Sequence, residues 1–184
     1  MKKIYIVLSD TGSLFTRWIK LFTRKPYNHA SIAFDPSLES LYSFGRKQPN
    51  NPFIAGFVEE KKDGGTFKKF HNTHCVVLSI EVEESSYEQL KLTVQEFKDK
   101  KDDYQYNLIG LLGVLVNKPI PRKNKYFCSS FVAEVMEDSE IKILNESPYL
   151  TRPNHFMEIE NAVVEYEGLL REYTMKKAWS TLFL

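Results

Sequence analysis

Apolar and polar positions along this chain follow two periods. Ile4 to Leu8 form an unbroken apolar run closed by Ser9 and Asp10. Residues 3–8 therefore read as a strand buried on both faces. Leu14, Phe15, Trp18, Ile19, Leu21 and Phe22 recur at helical spacing with Arg17, Lys20 and Arg24 between them, which predicts a basic amphipathic helix over 14–24. Asn28 to Phe34 read as a strand sending His29, Ser31 and Ala33 to one face and Ala30, Ile32 and Phe34 to the other. Asp35-Pro36-Ser37 carries turn chemistry, and Leu41 to Phe44 reads as a second strand.

Residues 45–65 contain Pro49, Pro52 and Gly56, close at Asp63-Gly64-Gly65, and read as loop. Thr66–Phe70 and Cys75–Val82 suit an antiparallel strand pair. A helix is predicted from Ser85-Ser86 to Lys98, with Tyr87, Leu90, Val94 and Phe97 on its apolar side. A more apolar helix follows over Tyr106–Val116, broken by Pro119 and Pro121, and another over Phe127–Met136. Glu167-Gly168 suggests a hairpin within 161–173, and 175–183 a final short helix. Strands before and after a central helical block indicate an α+β class, an antiparallel sheet packed against helices in one domain spanning 1–184.

Composition narrows the function. Hydrophobic residues make up 42% of the 184, enough for a sizeable core. The 25 cationic and 24 acidic side chains leave a net charge of +1, which gives no general electrostatic case for nucleic acid. The two cysteines, Cys75 and Cys128, exclude a disulfide scaffold, and neither lies in a CxxC pair of the kind that holds structural zinc. The apolar run Ile4–Leu8 is shorter than the roughly 7–15 residues of a signal h-region. Leu108–Val116 contains two glycines and falls short of the ~20 residues of a membrane span. A cytoplasmic setting is the expectation. The cluster His71, His74, Cys75 is tempting as a metal site, but adjacent strand residues face opposite sides, so no metal is assigned to it.

The informative segment is Lys125 to Val135, where Cys128 heads an amphipathic helix with Phe131, Val132, Val135 and Met136 on its buried side. The first turn of a helix leaves N–H groups unpaired and carries partial positive charge, which stabilises a thiolate, the reactive form. The same groups can hold an oxyanion. The bland alternative is a small, inert core cysteine. His29, beside the small side chains of Ser31 and Ala33, can serve such a thiolate as its imidazole base.

Tyr27-Asn28-His29-Ala30-Ser31-Ile32, Leu41-Tyr42-Ser43-Phe44, Tyr104-Gln105-Tyr106-Asn107 and Tyr126-Phe127-Cys128-Ser129-Ser130-Phe131-Val132 resemble, in that order, segments of circularly permuted papain-like cysteine hydrolases. These are the YiiX-like, NlpC-type proteins related to lecithin:retinol acyltransferase-like enzymes. The resemblance covers under a third of the chain. It implies a permuted papain-like fold, Cys128 as nucleophile and His29 as general base. The third, orienting residue falls on Ser43, where the family usually has Glu, His or Gln, with Glu39 as fallback. The family's oxyanion tyrosine falls on Tyr106, with Tyr126 second. Tyr126, Ser129 and Arg46 are the candidates for substrate contact.

The implied activity is cleavage of an amide or ester bond through a thioester at Cys128, with no cofactor and a small-molecule, peptide or lipid substrate. Two alternatives stand beside it: a lipid acyltransferase or thioesterase-like enzyme, and a non-catalytic binding module that keeps the fold. Helix 14–24 is read as packing on the sheet in preference to lying on a membrane surface. His155 is read as a surface histidine in preference to one flanking the cleft.

Overall fold

The computed structural model of the protein describes residues 1–12, 26–48, 51–142 and 145–174, with the backbone alone for 51–53. The expected helices 14–24 and 175–183 lie outside the described residues. Eight strands run in chain order: β1 (Lys2–Asp10), β2 (His29–Ala33), β3 (Leu41–Gln48), β4 (Asn51–Glu60), β5 (His74–Val82), β6 (Gln105–Tyr106), β7 (Lys125–Tyr126) and β8 (Val163–Leu169). Among the described residues four α-helices accompany them: α1 (Gly65–Lys69), α2 (Glu84–Asp99), α3 (Leu108–Leu115) and α4 (Cys128–Glu137).

Six strands make one antiparallel sheet in the order β4-β3-β2-β1-β5-β8, and β6 and β7 pair separately in parallel. The central strand is buried on both faces, as its unbroken apolar run requires. Ile4, Ile6 and Leu8 join Val76, Leu78, Ile80, Phe44 and Phe57 in a core closed by α2 and α4. Tyr5 and Val7 join Cys75, Val77 and Phe67 on the other face, under α1 and the segment around Leu170 and Tyr173. This mixed α+β arrangement agrees with the expected class.

Several local expectations give way. Residues 45–65 are mostly strand, not loop: β3 runs on to Gln48 and returns as β4. Pro and Gly disguised the pattern, because Pro52 sits near the start of an edge strand, where its missing N–H costs little. Gly56 is a close-approach site, where an added Cβ would meet Lys47 Cε at 2.9 Å and the Tyr104 carbonyl at 3.0 Å. Thr66–Phe70 is not a strand; Gly65–Lys69 is a short helix capped by extended Gly64. Residues 161–173 form no hairpin but the single strand β8, antiparallel to β5, followed by a 3-10 turn at Leu170–Glu172. A bulge between Val77 and Leu78 turns Glu165 inward, where it accepts a hydrogen bond from Ser79 Oγ at 2.6 Å and pairs with Lys3 at 3.3 Å. The helix expected over Tyr106–Val116 starts only at Leu108, because Gln105–Tyr106 are held in the parallel pair with Lys125–Tyr126. Asn107 caps it, its Oδ1 accepting from Gly110 N–H at 2.9 Å.

Candidate active site

Cys128 is the first residue of α4, and Phe127 before it is extended. Ser130 fixes that helix start: its Oγ accepts from Phe127 N–H and donates to Phe127 O, both at 2.9 Å. The helix is then pinned by Phe131, Val132, Val135 and Met136, all fully buried against the sheet. The thiol end is thereby set beside the start of β2, with Sγ 3.9 Å from the Asn28 carbonyl oxygen.

His29 is the first residue of β2, and its side chain lies within electrostatic reach of the Cys128 sulfur. Its Nε2 lies 3.5 Å from Glu60 Oε2, an ion-pair distance without hydrogen-bond geometry. Both partners are largely covered, with side-chain exposures of 18% and 10%. Burial works against the imidazolium. The neighbouring Cys128 outweighs it, helped by Glu60, and the pKa of His29 is pushed up to about 10. Burial also works against the thiolate. The neighbouring His29 and its positive charge, with the backbone N–H groups of Ala30 and Ser129, reverse that and bring the Cys128 pKa below its ordinary value. The two groups titrate as a pair, and the shifts favour thiolate and imidazolium together.

Tyr106 completes the cluster. Its hydroxyl lies within electrostatic reach of Cys128, and burial first, then the neighbouring Cys128, hold its pKa well above the ordinary value. It is therefore a proton donor at neutral pH. Arg46 is half-buried within electrostatic reach of both Glu60 and Tyr106, and its guanidinium lies 5.6 Å from the Phe70 ring centroid.

The structure thus gathers Cys128, His29, Tyr106 and Arg46, and gives four other candidates different surroundings. Ser43 does not orient the imidazole. The Ile32–Tyr42 pairing sets Ser43 beside Ser31 and Gly45 beside His29, and Ser43 Oγ donates to the Ala30 carbonyl at 2.6 Å. Glu39 is exposed at the far end of β2, where its N–H donates to Asp35 Oδ1. Tyr126 is a core aromatic: its hydroxyl donates to Glu134 Oε1 at 3.0 Å and its ring packs against Phe44 and Phe97. Ser129 is buried, with Oγ donating to Thr151 O at 2.6 Å, so it serves the sulfur through its backbone N–H and not through its side chain.

Glu60 is the residue that the sequence reading missed. It shares the sheet face of His29, and the alternation Gly56, Val58, Glu60 along β4 was the signal, hidden once 45–65 was read as loop. The imidazole crosses Gly45 to reach it: a Cβ on Gly45 would lie 3.4 Å from His29 Cε1 and 3.4 Å from Val58 Cγ2. Four buried side-chain atoms lack hydrogen-bond partners among the described residues, and they cluster at this end of the sheet: Ser9 Oγ, Asn28 Oδ1, Ser31 Oγ and Glu60 Oε2. Ser9 pairs with His29 in the sheet. Such atoms mark places for water or for a polar ligand.

The other candidates stand apart. Cys75 lies in the second core, its pKa raised to about 12 by burial. His74 is exposed beside it, on the opposite side of β5, and His71 is exposed as well. His155 Nδ1 lies 3.2 Å from Glu146 Oε2. A cleft of about 440 Å³ lined by Lys47, Phe57, Val58, Glu59, Lys98, Lys101 and Asp102 includes none of the thiol cluster. Two of its cations are paired, Lys98 with Glu59 at 2.8 Å and Lys47 with Asp102 at 3.4 Å. No helix among the described residues is long and apolar enough to cross a membrane. No family model, curated protein or solved structure matches the chain.

Proposed function

We propose that the chain is a cysteine hydrolase that cleaves an amide or ester through a thioester at Cys128. One observation carries the reading: the Cys128–His29 pair at a helix N-terminus, each group favouring the charged form of the other, with the Glu60 carboxylate behind the imidazole. The permuted papain-like resemblance of the His29 and Cys128 segments supports the same reading.

The thiolate attacks the carbonyl carbon, forming the C–S bond and placing negative charge on oxygen. The Tyr106 hydroxyl and the N–H groups at the start of α4 are the donors available to that oxyanion. As the tetrahedral species collapses, the C–N or C–O bond breaks and imidazolium gives its proton to the leaving amine or alcohol. His29 then takes a proton from water, which attacks the thioester and releases a carboxylic acid and the thiolate. Glu60 holds the ring in register and stabilises its charge, the part an acidic residue plays behind a catalytic histidine. Transfer of the acyl group to another acceptor uses the same steps, with the acceptor in place of water.

The test is the rate of Cys128 alkylation by iodoacetamide against pH, followed by mass spectrometry, in the parent protein and in His29→Ala. Reaction that stays fast below pH 7 and slows in the variant is the expected result. A profile like that of a free thiol, with a midpoint near ~8.5 in both proteins, would sink the proposal.

A further inference from the structure

Helix α3 wears its large side chains on the outside. Leu108, Ile109, Leu112, Leu115 and the adjoining Val116 are 46% to 65% exposed, while Gly110, Gly113 and Val114 face the body. These five make up nearly half of the eleven exposed large hydrophobic side chains among the described residues. Their spacing, i, i+1, i+4, i+7 and i+8, puts them on one stripe.

The orientation is built in. A Cβ on Gly113 would stand 2.5 Å from the Lys118 carbonyl oxygen and 2.9 Å from Ile120 Cγ1. Only the small side of the helix can lie against the returning chain, so rotation cannot bury the leucines. The helix ends are also closed. Asn107 accepts from Gly110 N–H, Lys118 N–H donates to Gly113 O at 2.9 Å, and Arg152 Nη2 donates to Val114 O at 2.9 Å. Satisfied ends let a helix enter an apolar medium without exposing bare peptide groups to it.

Charge selects the partner. From residue 104 to residue 133 the sequence contains no Asp or Glu but carries Lys118, Arg122, Lys123 and Lys125. The first three are exposed on the loop that returns beside the helix. A second copy docked face to face would set these cations against their own kind, whereas an anionic lipid headgroup layer complements them. We infer that the outer face of α3 and its basic loop form a docking surface for an anionic lipid bilayer. An eight-residue helix is ~12 Å long, so it lies in the headgroup region and does not span.

Co-sedimentation with phosphatidylcholine vesicles, with and without phosphatidylserine, at low and high salt, tests this. The protein is expected to sediment with the serine-lipid vesicles and to be released by salt. Leu112→Glu with Leu115→Glu is expected to weaken binding by roughly tenfold or more, and Lys118→Glu with Lys123→Glu to abolish the preference for anionic lipid. All four side chains are exposed, so thermal melts of both double variants should match the parent. Cys128→Ala should bind like the parent, since docking is independent of the thiol chemistry. The inference is overturned if the parent ignores anionic vesicles or if binding survives the two leucine changes. It is equally overturned if light scattering shows a dimer that those changes dissolve while vesicles stay unbound.

Discussion

Glu60 Oε2 lies 3.5 Å from His29 Nε2 although the two residues stand on strands separated by β3. Contact across that gap depends on Gly45, the residue of β3 under the ring. Carboxylate, glycine and imidazole therefore act as one device, and removing the carboxylate charge should be felt at the sulfur. In Glu60→Gln the imidazolium loses a stabilising partner and the His29 pKa falls. Hydrolysis of a p-nitrophenyl ester should drop by roughly 10²-fold, and Cys128 alkylation at pH 6 should slow. An unchanged alkylation profile would remove Glu60 from the site.

The pair also dictates the shape of the pH dependence. The competent form carries thiolate and imidazolium together. Activity should rise as pH climbs through the lowered pKa of Cys128 and fall as pH climbs through about 10, where His29 loses its proton. A broad bell with a high alkaline limb is the expected profile of kcat/KM. In Glu60→Gln the alkaline limb should move to lower pH, because one of the two groups that raise the His29 pKa loses its charge. An alkaline limb near that of a free histidine in the parent would contradict the buried arrangement.

Ser43 and Glu60 can be told apart by one substitution each. Ser43→Ala removes the hydrogen bond to the Ala30 carbonyl in a fully buried setting, at a cost of about 1 kcal/mol in stability. Urea unfolding should register that loss while the pH profile of alkylation stays in place. A shifted profile in Ser43→Ala would return that residue to the orienting role.

Tyr106→Phe should separate nucleophile activation from oxyanion stabilisation. The thiolate keeps His29 and the helix N–H groups, so alkylation below pH 7 should persist. Ester hydrolysis should fall by about 10²- to 10³-fold, the cost of one oxyanion donor. The contrasting control is Tyr126→Phe. It breaks the bond to Glu134 and should cost about 1 kcal/mol of stability with activity kept.

Gly45→Ala asks whether the space under the ring matters. The added methyl would stand 3.4 Å from both His29 Cε1 and Val58 Cγ2, at the tight edge of ordinary contact. Displacing the ring by a few tenths of an ångström should lower hydrolysis by roughly tenfold, with little change in the melting temperature. Equal loss of activity and stability would mean that the glycine serves packing alone.

That Cys128 and His29 would share one site was legible in the sequence because each sits at an element boundary with a chemical reason to be there: a cysteine opening an amphipathic helix, a histidine on a strand of small neighbours. The α+β arrangement was legible for the same kind of reason, since Ile4–Leu8 reads as a buried strand whatever surrounds it. Glu60 was not. Its role depends on the register of two strand pairings and on the absence of a side chain at Gly45, and neither is encoded locally. Tyr126 and Tyr106 are matched residues of one parallel pair, and only the tertiary fold decides which meets the sulfur and which enters the core. Helix α3 was predicted as apolar, but its pattern could not say that the glycines face inward.

The distance in sequence between His29 and Cys128 also sets an order of events during synthesis. Base, carboxylate and the glycine between them all lie within the first 60 residues, whereas the sulfur arrives on a helix that ends at Glu137. A chain still emerging from the ribosome can hold an imidazole and a carboxylate with nothing to activate. The sulfur is thus the last part of the site to be made, after the imidazole, the glycine and the carboxylate.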